Sequence, residues 1–389
     1  MHTRDAVIVE AVRTPVGKRN GSLSGIHPAV LSAGVLNALV QRAGVDPALV
    51  DDVIWGCVMQ AGAQSWNIGR TSVLTAGWPE SVPAVTLDRQ CGSSQQAVHF
   101  AAAGLMSGQY DLVVAGGVEN MSMVPIGATS RIPDIGSPNP QEVLDRYGIQ
   151  GFNQGLGAEM MAEKWGLSRT DCDEFAARSH RLLGEAIEAG RLAGQLTPVD
   201  LPGGGRLEVD EGLRAGTSVE SLSGLKPVYK EDGVVHAGNA SQISDGAAAL
   251  LMTTSEKAAE LGLTPIARYH TGVVVGDDPV MMLSAPIPAT RKVLERSGLT
   301  LEEIGVYEVN EAFSPIPLAW MAEMRELGAD EAKLNPNGGA IAIGHPLGGS
   351  GARIMTQMIH HMRDQGIRYG LQTMCEGGGM ANATILELL

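Results

Sequence analysis

The chain has 389 residues, 44% of them apolar, and carries 28 Lys+Arg against 43 Asp+Glu, a formal net charge of −15. That length suits two or three domain-sized units with a large buried core. The acidic balance argues against a nucleic-acid partner, since phosphate binding rests on clustered positive charge, yet it leaves room for a local basic patch that holds a small anion.

The four cysteines, Cys57, Cys91, Cys172 and Cys375, lie far apart, with no CxxC pair and no histidine at ligand spacing. Neither a metal site nor a disulfide framework is indicated. The opening MHTRDAVIVEAVRTPVG has charges on both sides of a short apolar run, unlike a signal peptide. No apolar run reaches the ~18 residues that span a membrane. The expectation is a soluble cytoplasmic protein.

Ala6 to Ala11 (AVIVEA) reads as a buried strand, short and β-branched. Pro28 to Ala43 is an amphipathic helix closed by Gly44, followed by VDPALVDDVIWGCV, a capped turn and a second strand. The patterning then predicts a helix over Gln64 to Ala76, a strand over Ala84 to Leu87, a helix over Ser93 to Ser107 and a strand over Asp111 to Ala115. Such alternation points to a largely parallel sheet with helices on its faces.

From about Met121 the texture changes. A Pro/Gly-rich loop (SRIPDIGSPNP), a helix from Ser168 to Ala189 and a polar glycine-rich region predict a mixed cap over the mouth of the sheet. The earlier grammar then returns. Pro286 to Ser297 is a helix, and GLTLEEIGVYEVNEAF parallels GVDPALVDDVIWGCV. Further on, GGSGARIMTQMIHHMRDQG and YGLQTMCEGGG echo SSQQAVHFAAAGLMSGQ and YDLVVAGGVEN. This reads as an internal duplication of one α/β unit, offset by roughly 250 residues. The expected division is 1–121 plus 244–267 for the first half, 122–243 for an insertion, and 268–389 for the second half.

Cys91 lies in LDRQCGSSQQ, where an extended run meets a helix. A thiol at a helix N-terminus faces unpaired N–H groups and the positive end of the dipole, which favours thiolate. Asn310 (VNEAF), His345 (AIAIGHPLGG) and Cys375 (LQTMCEGGG) each read as sitting at the C-terminal end of a strand, where open α/β sheets place ligand sites. These types suit thiol-based acyl transfer: a cysteine nucleophile, an imidazole base, a second thiol for proton delivery and an amide for an oxyanion. Taken singly, Cys91 and Cys375 read more readily as small buried thiols and Asn310 as a turn amide, while His345 is as consistent with a hydrogen-bonded structural histidine.

The strings CGSSQQA, NEAF, GGAIAIGHPLGGSGAR and CEGGGMA resemble the signature blocks of the thiolases, in the same order, and the resemblance runs over essentially the whole chain. It implies a duplicated α/β thiolase fold of five layers (αβαβα) with an inserted loop domain, assembled as a homodimer or homotetramer. It implies that Cys91 takes the acyl group, His345 activates it and Cys375 exchanges a proton with acetyl-CoA. Asn310 then holds a water of one oxyanion hole, and the N–H groups of Cys91 and Gly377 form the other. Coenzyme A is the co-substrate, with no prosthetic group, metal or membrane insertion. Arg214 and Ser221 match positions contacting its nucleotide part, Ala237 and Ser241 lie beside the pantetheine arm, and Phe313 of NEAF is placed with them.

One stretch departs from the pattern. Acetoacetyl-specific members carry His-Met-Gly before an Ala-Glu pair, whereas this chain has FNQGLGAE, with Asn153 and Gln154 in that place. This points to a longer, ring-derived or otherwise polar 3-ketoacyl chain and to a degradative role in fatty acid or steroid metabolism. The rival readings are a ketoacyl-synthase-like condensing enzyme, which uses a histidine where this chain has Cys375, and a non-catalytic acyl-CoA or lipid-binding protein on the same scaffold.

Overall fold

The computed structural model describes residues 4–131, 133 and 136–389. Strand β1 (Val7–Arg13) and the short β2 (Gly17–Lys18) lead into α1 (Pro28–Ala43). This helix starts on a proline, whose missing N–H would have no intrahelical partner there, and ends on Gly44 at φ 67°. There follow β3 (Asp52–Gly56), α2 (Ile68–Thr75), β4 (Ala84–Leu87), α3 (Ser93–Ser107) and β5 (Leu112–Asn120). The helix expected from Gln64 starts only at Ile68, because Trp66 and Asn67 both adopt φ 58° and the Asn67 side chain caps the Arg70 N–H.

The insertion carries α4 (Gln141–Tyr147), α5 (Gln154–Trp165), α6 (Arg169–Glu188), a hairpin of β6 (Val199–Asp200) and β7 (Arg206–Leu207), and α7 (Val219–Ser223). Ser168 and Asp171 form a capping box at the start of α6. Part of the expected loop SRIPDIGSPNP, at 132, 134 and 135, lies outside the described residues, as do residues 1–3 of the opening segment.

The chain continues through β8 (Ser244–Thr253), α8 (Ser255–Glu260), β9 (Ala267–Gly276), α9 (Pro286–Ser297), β10 (Val306–Val309), α10 (Pro315–Met324), α11 (Ser350–Gln365), β11 (Tyr369–Glu376) and β12 (Met380–Leu388). The strands form one hydrogen-bonded path, β4-β3-β5-β8-β1-β9-β12-β11-β10, with β2 on β8. The duplication is written in this order. In the first half β3 runs parallel to β5, which is antiparallel to β8, which is antiparallel to β1. In the second, β10, β11, β12 and β9 repeat the same three relations. The halves join through Val7 opposite Arg268 and Ile8 opposite Ala267.

The sheet is therefore mixed, not largely parallel as the alternation suggested. Among the described residues only β3/β4, β3/β5 and β10/β11 are parallel strand pairs. The strands that break the pattern return by routes other than a helix crossover: β12 by a glycine turn straight after β11, and β8 after the long insertion.

Helices α3 and α11 lie side by side between the halves. Helix α11 packs on β1, β5 and β8 and also on β10, β11 and β12. From α3, Gln95 and His99 both reach Thr384 of β12, at 2.7 Å each. With α1 and α2 outside the first half and α9 and α10 outside the second, the five expected layers are present. Among the described residues no helix is long and apolar enough to cross a membrane.

Candidate active site

The turn between β4 and α3 holds Cys91. Gln90 takes φ 49°, Gly92 is the N-cap, and Ser93 Oγ clamps the turn by accepting the Arg89 N–H (3.0 Å) and donating to the Gln90 carbonyl (2.6 Å). The thiol is buried in an apolar cluster with Val58, Met59, Met121, Val124, Leu347 and Met374. That environment overturns the expectation of a resting thiolate. Burial pushes Cys91 up to about 12, the nearby Glu376 charge adds to it, and the approach of its own N–H only partly opposes them. The helix terminus is outweighed by desolvation, so the thiolate has to be generated by a base.

His345 supplies a suitable group. Its Nδ1 lies 2.6 Å from Ser350 Oγ, and that hydroxyl donates onward to the Pro346 carbonyl at 2.8 Å. Because Ser350 spends its proton on Pro346, it accepts from Nδ1–H, which leaves the lone pair on Nε2. Asn310 Nδ2 donates to that Nε2 at 3.4 Å. The tautomer is assigned from these partners. Burial, with Arg353 adding, holds the imidazole down at about 3, so it is neutral and can accept a proton.

The segment before His345 is not the strand that AIAIG suggested. The Ile343 and Gly344 N–H groups turn back onto the carbonyls of Gly339 and Ala340 at 2.8 and 3.0 Å. The Glu311 carboxylate pins this coil, accepting from Ile341 N, Asn335 Nδ2 and Ser179 Oγ. Two glycines permit the tight path, and a single carboxylate then outcompetes a ladder that has no partner strand.

Asn310 directly follows β10, its N–H bonded to the Thr373 carbonyl of β11 at 3.1 Å. Its amide approaches the Cys375 sulphur, the one side-chain contact that lowers a thiol otherwise raised by burial and by Cys91. Its Oδ1 is buried with no partner. Asn310 thus approaches both His345 and Cys375, while Cys91 shares its apolar cluster with Met374, the neighbour of Cys375, and with Leu347 of the His345 loop. Gly377 is brought to the same place: a Cβ there would stand 2.9 Å from Oε1 of Gln90, the neighbour of Cys91. A cavity of about 690 Å³ lined by Arg291, Leu294, Leu299 and Leu327 lies elsewhere, and none of these residues lines it.

The positions matched to coenzyme A lie farther out. Ala237 and Ser241 belong to a loop tied to NEAF by Ser241 N to the Ala312 carbonyl (2.9 Å) and Ser314 N to the Asn239 carbonyl (3.0 Å). Phe313 is buried there, edge-on to Tyr229. Arg214 is exposed, its N–H donating to His180 Nδ1 at 3.2 Å. Ser221 is spent in a capping box with Ser218. Asn153 has a local role as well, its Oδ1 accepting the Gly155 and Leu156 N–H groups at the start of α5.

Two residues go beyond the sequence expectations. Ser350 fixes the His345 tautomer, and the GGSG string is its only signal. Glu119 lies in VEN at the end of β5. It accepts from Val58 N (3.0 Å), Met59 N (3.0 Å), Gly348 N (2.8 Å) and Gln64 Nε2 (2.6 Å), so the first half grips the loop that carries His345.

Family models for the thiolase N-terminal and C-terminal domains match residues 6–256 and 263–388. The chain belongs to the thiolase family. A steroid 3-ketoacyl-CoA thiolase of Mycobacterium tuberculosis is 48% identical over 390 residues, covering 99% of this chain and 94% of its own. A 3-ketoacyl-CoA thiolase of Marinobacter nauticus is 42% identical over 395 residues, covering 100% and 99%. The crystal structure of the Bacillus anthracis acetyl-CoA acetyltransferase aligns with a TM-score of 0.90 at 38% identity, covering 100% of this chain and 99% of that one. Membership of the thiolases makes the chain an acyltransferase, and the condensing-enzyme and binding-only readings give way to it.

Proposed function

We propose that this thiolase cleaves 3-ketoacyl-CoA to acetyl-CoA and a shortened acyl-CoA. His345 Nε2 takes the Cys91 proton and the thiolate attacks the keto carbon. The keto oxygen develops negative charge facing the N–H groups of Cys91 and Gly377. The Cα–Cβ bond breaks, and the acetyl-CoA enolate takes a proton from Cys375. The Cys375 thiolate then accepts the proton of incoming CoA, whose sulphur displaces Cys91 from the acyl group, and the imidazolium returns its proton to Cys91. Asn310 holds a water that, with His345, donates to the thioester oxygen. The observation that carries this reading is the Asn310–His345–Ser350 chain, which presents an unprotonated Nε2 to a site with two buried thiols.

Residues 122–243 act as the coenzyme A-holding domain, with Arg214 and Ser221 at the nucleotide and Ala237, Ser241 and Phe313 along the pantetheine arm. The absence of a His-Met-Gly segment and the Met59, Met121 and Val124 wall at Cys91 favour a longer or ring-derived acyl chain and a degradative role. The enzyme works in the cytoplasm without a prosthetic group, as a homodimer or homotetramer. Edge strand β4, with half-exposed Val85, supports self-association.

Mass spectrometry after incubation with acyl-CoA tests the chemistry, an adduct on Cys91 being expected and no adduct overturning it. Comparing kcat/KM over acetoacetyl-, medium-chain and cyclic 3-ketoacyl-CoA tests the substrate, and a strong preference for acetoacetyl-CoA would sink that part.

A further inference from the structure

Glu376 follows Cys375 at the end of β11 and is fully buried, yet neither carboxyl oxygen has a hydrogen-bond partner. Its carboxyl fills the space that a side chain on Gly92 would need: a Cβ there would stand 2.6 Å from Cδ and 3.1 Å from Cγ of Glu376. The carboxyl therefore lies against the residue that follows Cys91, with Cys375 on its other side in sequence. A buried carboxylate without donors is costly, whereas the acid form carries no charge to desolvate.

Among the described residues no cation forms an ion pair with Glu376. From the β4–α3 turn, Arg89 faces Glu376 without forming an ion pair, its own Nε is buried without an acceptor, and one of its other nitrogens approaches Met380 Sδ at 3.7 Å. Asp88, in the same turn, adds negative charge near Cys91. From β12, the Asn382 N–H lies near the carboxyl but outside hydrogen-bond geometry. From α3, His99 faces Arg89 and is held neutral by burial.

We propose that Glu376 is a positioning residue that must be neutral for acyl transfer, because its carboxylate would hold the Cys91 and Cys375 thiols protonated. This rests on the reading of Cys91 as the nucleophile. Burial raises the carboxyl to about 8, so it is an acid at neutral pH and ionises just above. Its charge raises both thiols, directly opposing the thiolates the reaction needs. The group thus sets the alkaline limit of the site.

The test is the pH profile of Cys91 alkylation by iodoacetamide, read by peptide mass spectrometry in the wild-type enzyme, in Glu376→Gln and in Glu376→Leu. The second variant removes the unpartnered oxygens altogether, so at least one uncharged variant is expected to fold. Below pH 7 the rates should agree within about twofold. Above pH 9 the uncharged variants should react at least about tenfold faster, since a unit charge a few ångströms away has about this effect even under water-like screening and a larger one in a protein interior. Parallel profiles across the range would overturn the proposal and leave Glu376 a space-filling residue. A wild-type protein that takes no acyl group from acyl-CoA would instead defeat the assigned chemistry, because alkylation does not require acyl transfer.

Discussion

Glu119, at the end of the central strand of the first half, accepts the N–H of Gly348, three residues beyond His345 in the second, at 2.8 Å. The approach is possible because Gly348 has no side chain, since a Cβ would stand 2.6 Å from Cys57 Cα and 2.8 Å from the Gly56 carbonyl. One carboxylate thereby registers the loop that carries His345 against the half of the molecule that carries Cys91. Glu119→Ala strands four buried donors and should destabilise the fold by about 3–5 kcal/mol, read as a lower urea midpoint with unchanged m. A midpoint within error of wild type would contradict this role.

Ser350→Ala removes the acceptor that keeps the proton on His345 Nδ1. The imidazole can then place its proton on Nε2, where it is useless as a base. The expected result is a fall of roughly 10- to 100-fold in kcat with little change in KM. Asn310→Ala, which takes away an amide shared by His345 and Cys375, should cost about 10²–10³ in kcat. Steady-state kinetics on a 3-ketoacyl-CoA measures both.

The two thiols should separate by half-reaction. Cys91→Ala abolishes the acyl adduct, whereas Cys375→Ser slows both half-reactions unequally: acylation of Cys91 by acetyl-CoA, whose departing CoA thiolate needs a proton less than a carbon enolate does, falls less than carbon–carbon cleavage. Quenched-flow trapping of the adduct distinguishes them, and equal loss of both half-reactions in Cys375→Ser would contradict the proton role.

Stability should peak between mildly acidic and neutral pH. His99 and His345 are held down at about 3 by burial, so the unfolded chain binds protons that the folded one refuses, and stability falls as pH drops from 6.5 towards 3. Glu308 and Glu376 are raised to about 8, so the folded chain keeps protons the unfolded one has lost, and stability falls as pH rises from 4.5 to 8. Thermal melts from pH 4 to 9 should show this dome. Glu308→Gln should flatten its alkaline side by a few degrees, about what a loss of a few kcal/mol moves a chain of this size.

Gly92→Ala should be poorly tolerated even though Gly92 is an N-cap with φ −85°, a backbone any residue adopts. Its Cβ would occupy the Glu376 carboxyl, so Gly92→Ala should cost about 1–3 kcal/mol as an overpacked core site. Glu376→Leu would not relieve it, whereas a smaller Glu376→Ala should, and a double-mutant cycle on melting temperature reads the coupling.

Local pattern determined much of this protein. The bounds of α1, α3 and α9 follow from Pro28 and Pro286 at helix starts and from the αL glycines at 44, 108 and 298, because capping is decided within a few residues. The duplication was also legible, and the strings around Cys91, Asn310, His345 and Cys375 marked them as candidates, since each is a short string whose chemistry is local. Tertiary structure decided what depends on residues hundreds of positions apart. It made the sheet mixed, turned AIAIG into a coil around Glu311, and buried Cys91 deeply enough that desolvation outweighs the helix terminus. It also recruited Glu119 and Glu376, whose roles come from partners the sequence does not place beside them: a hydrogen bond or a missing one is a property of two positions in space, and only folding fixes both.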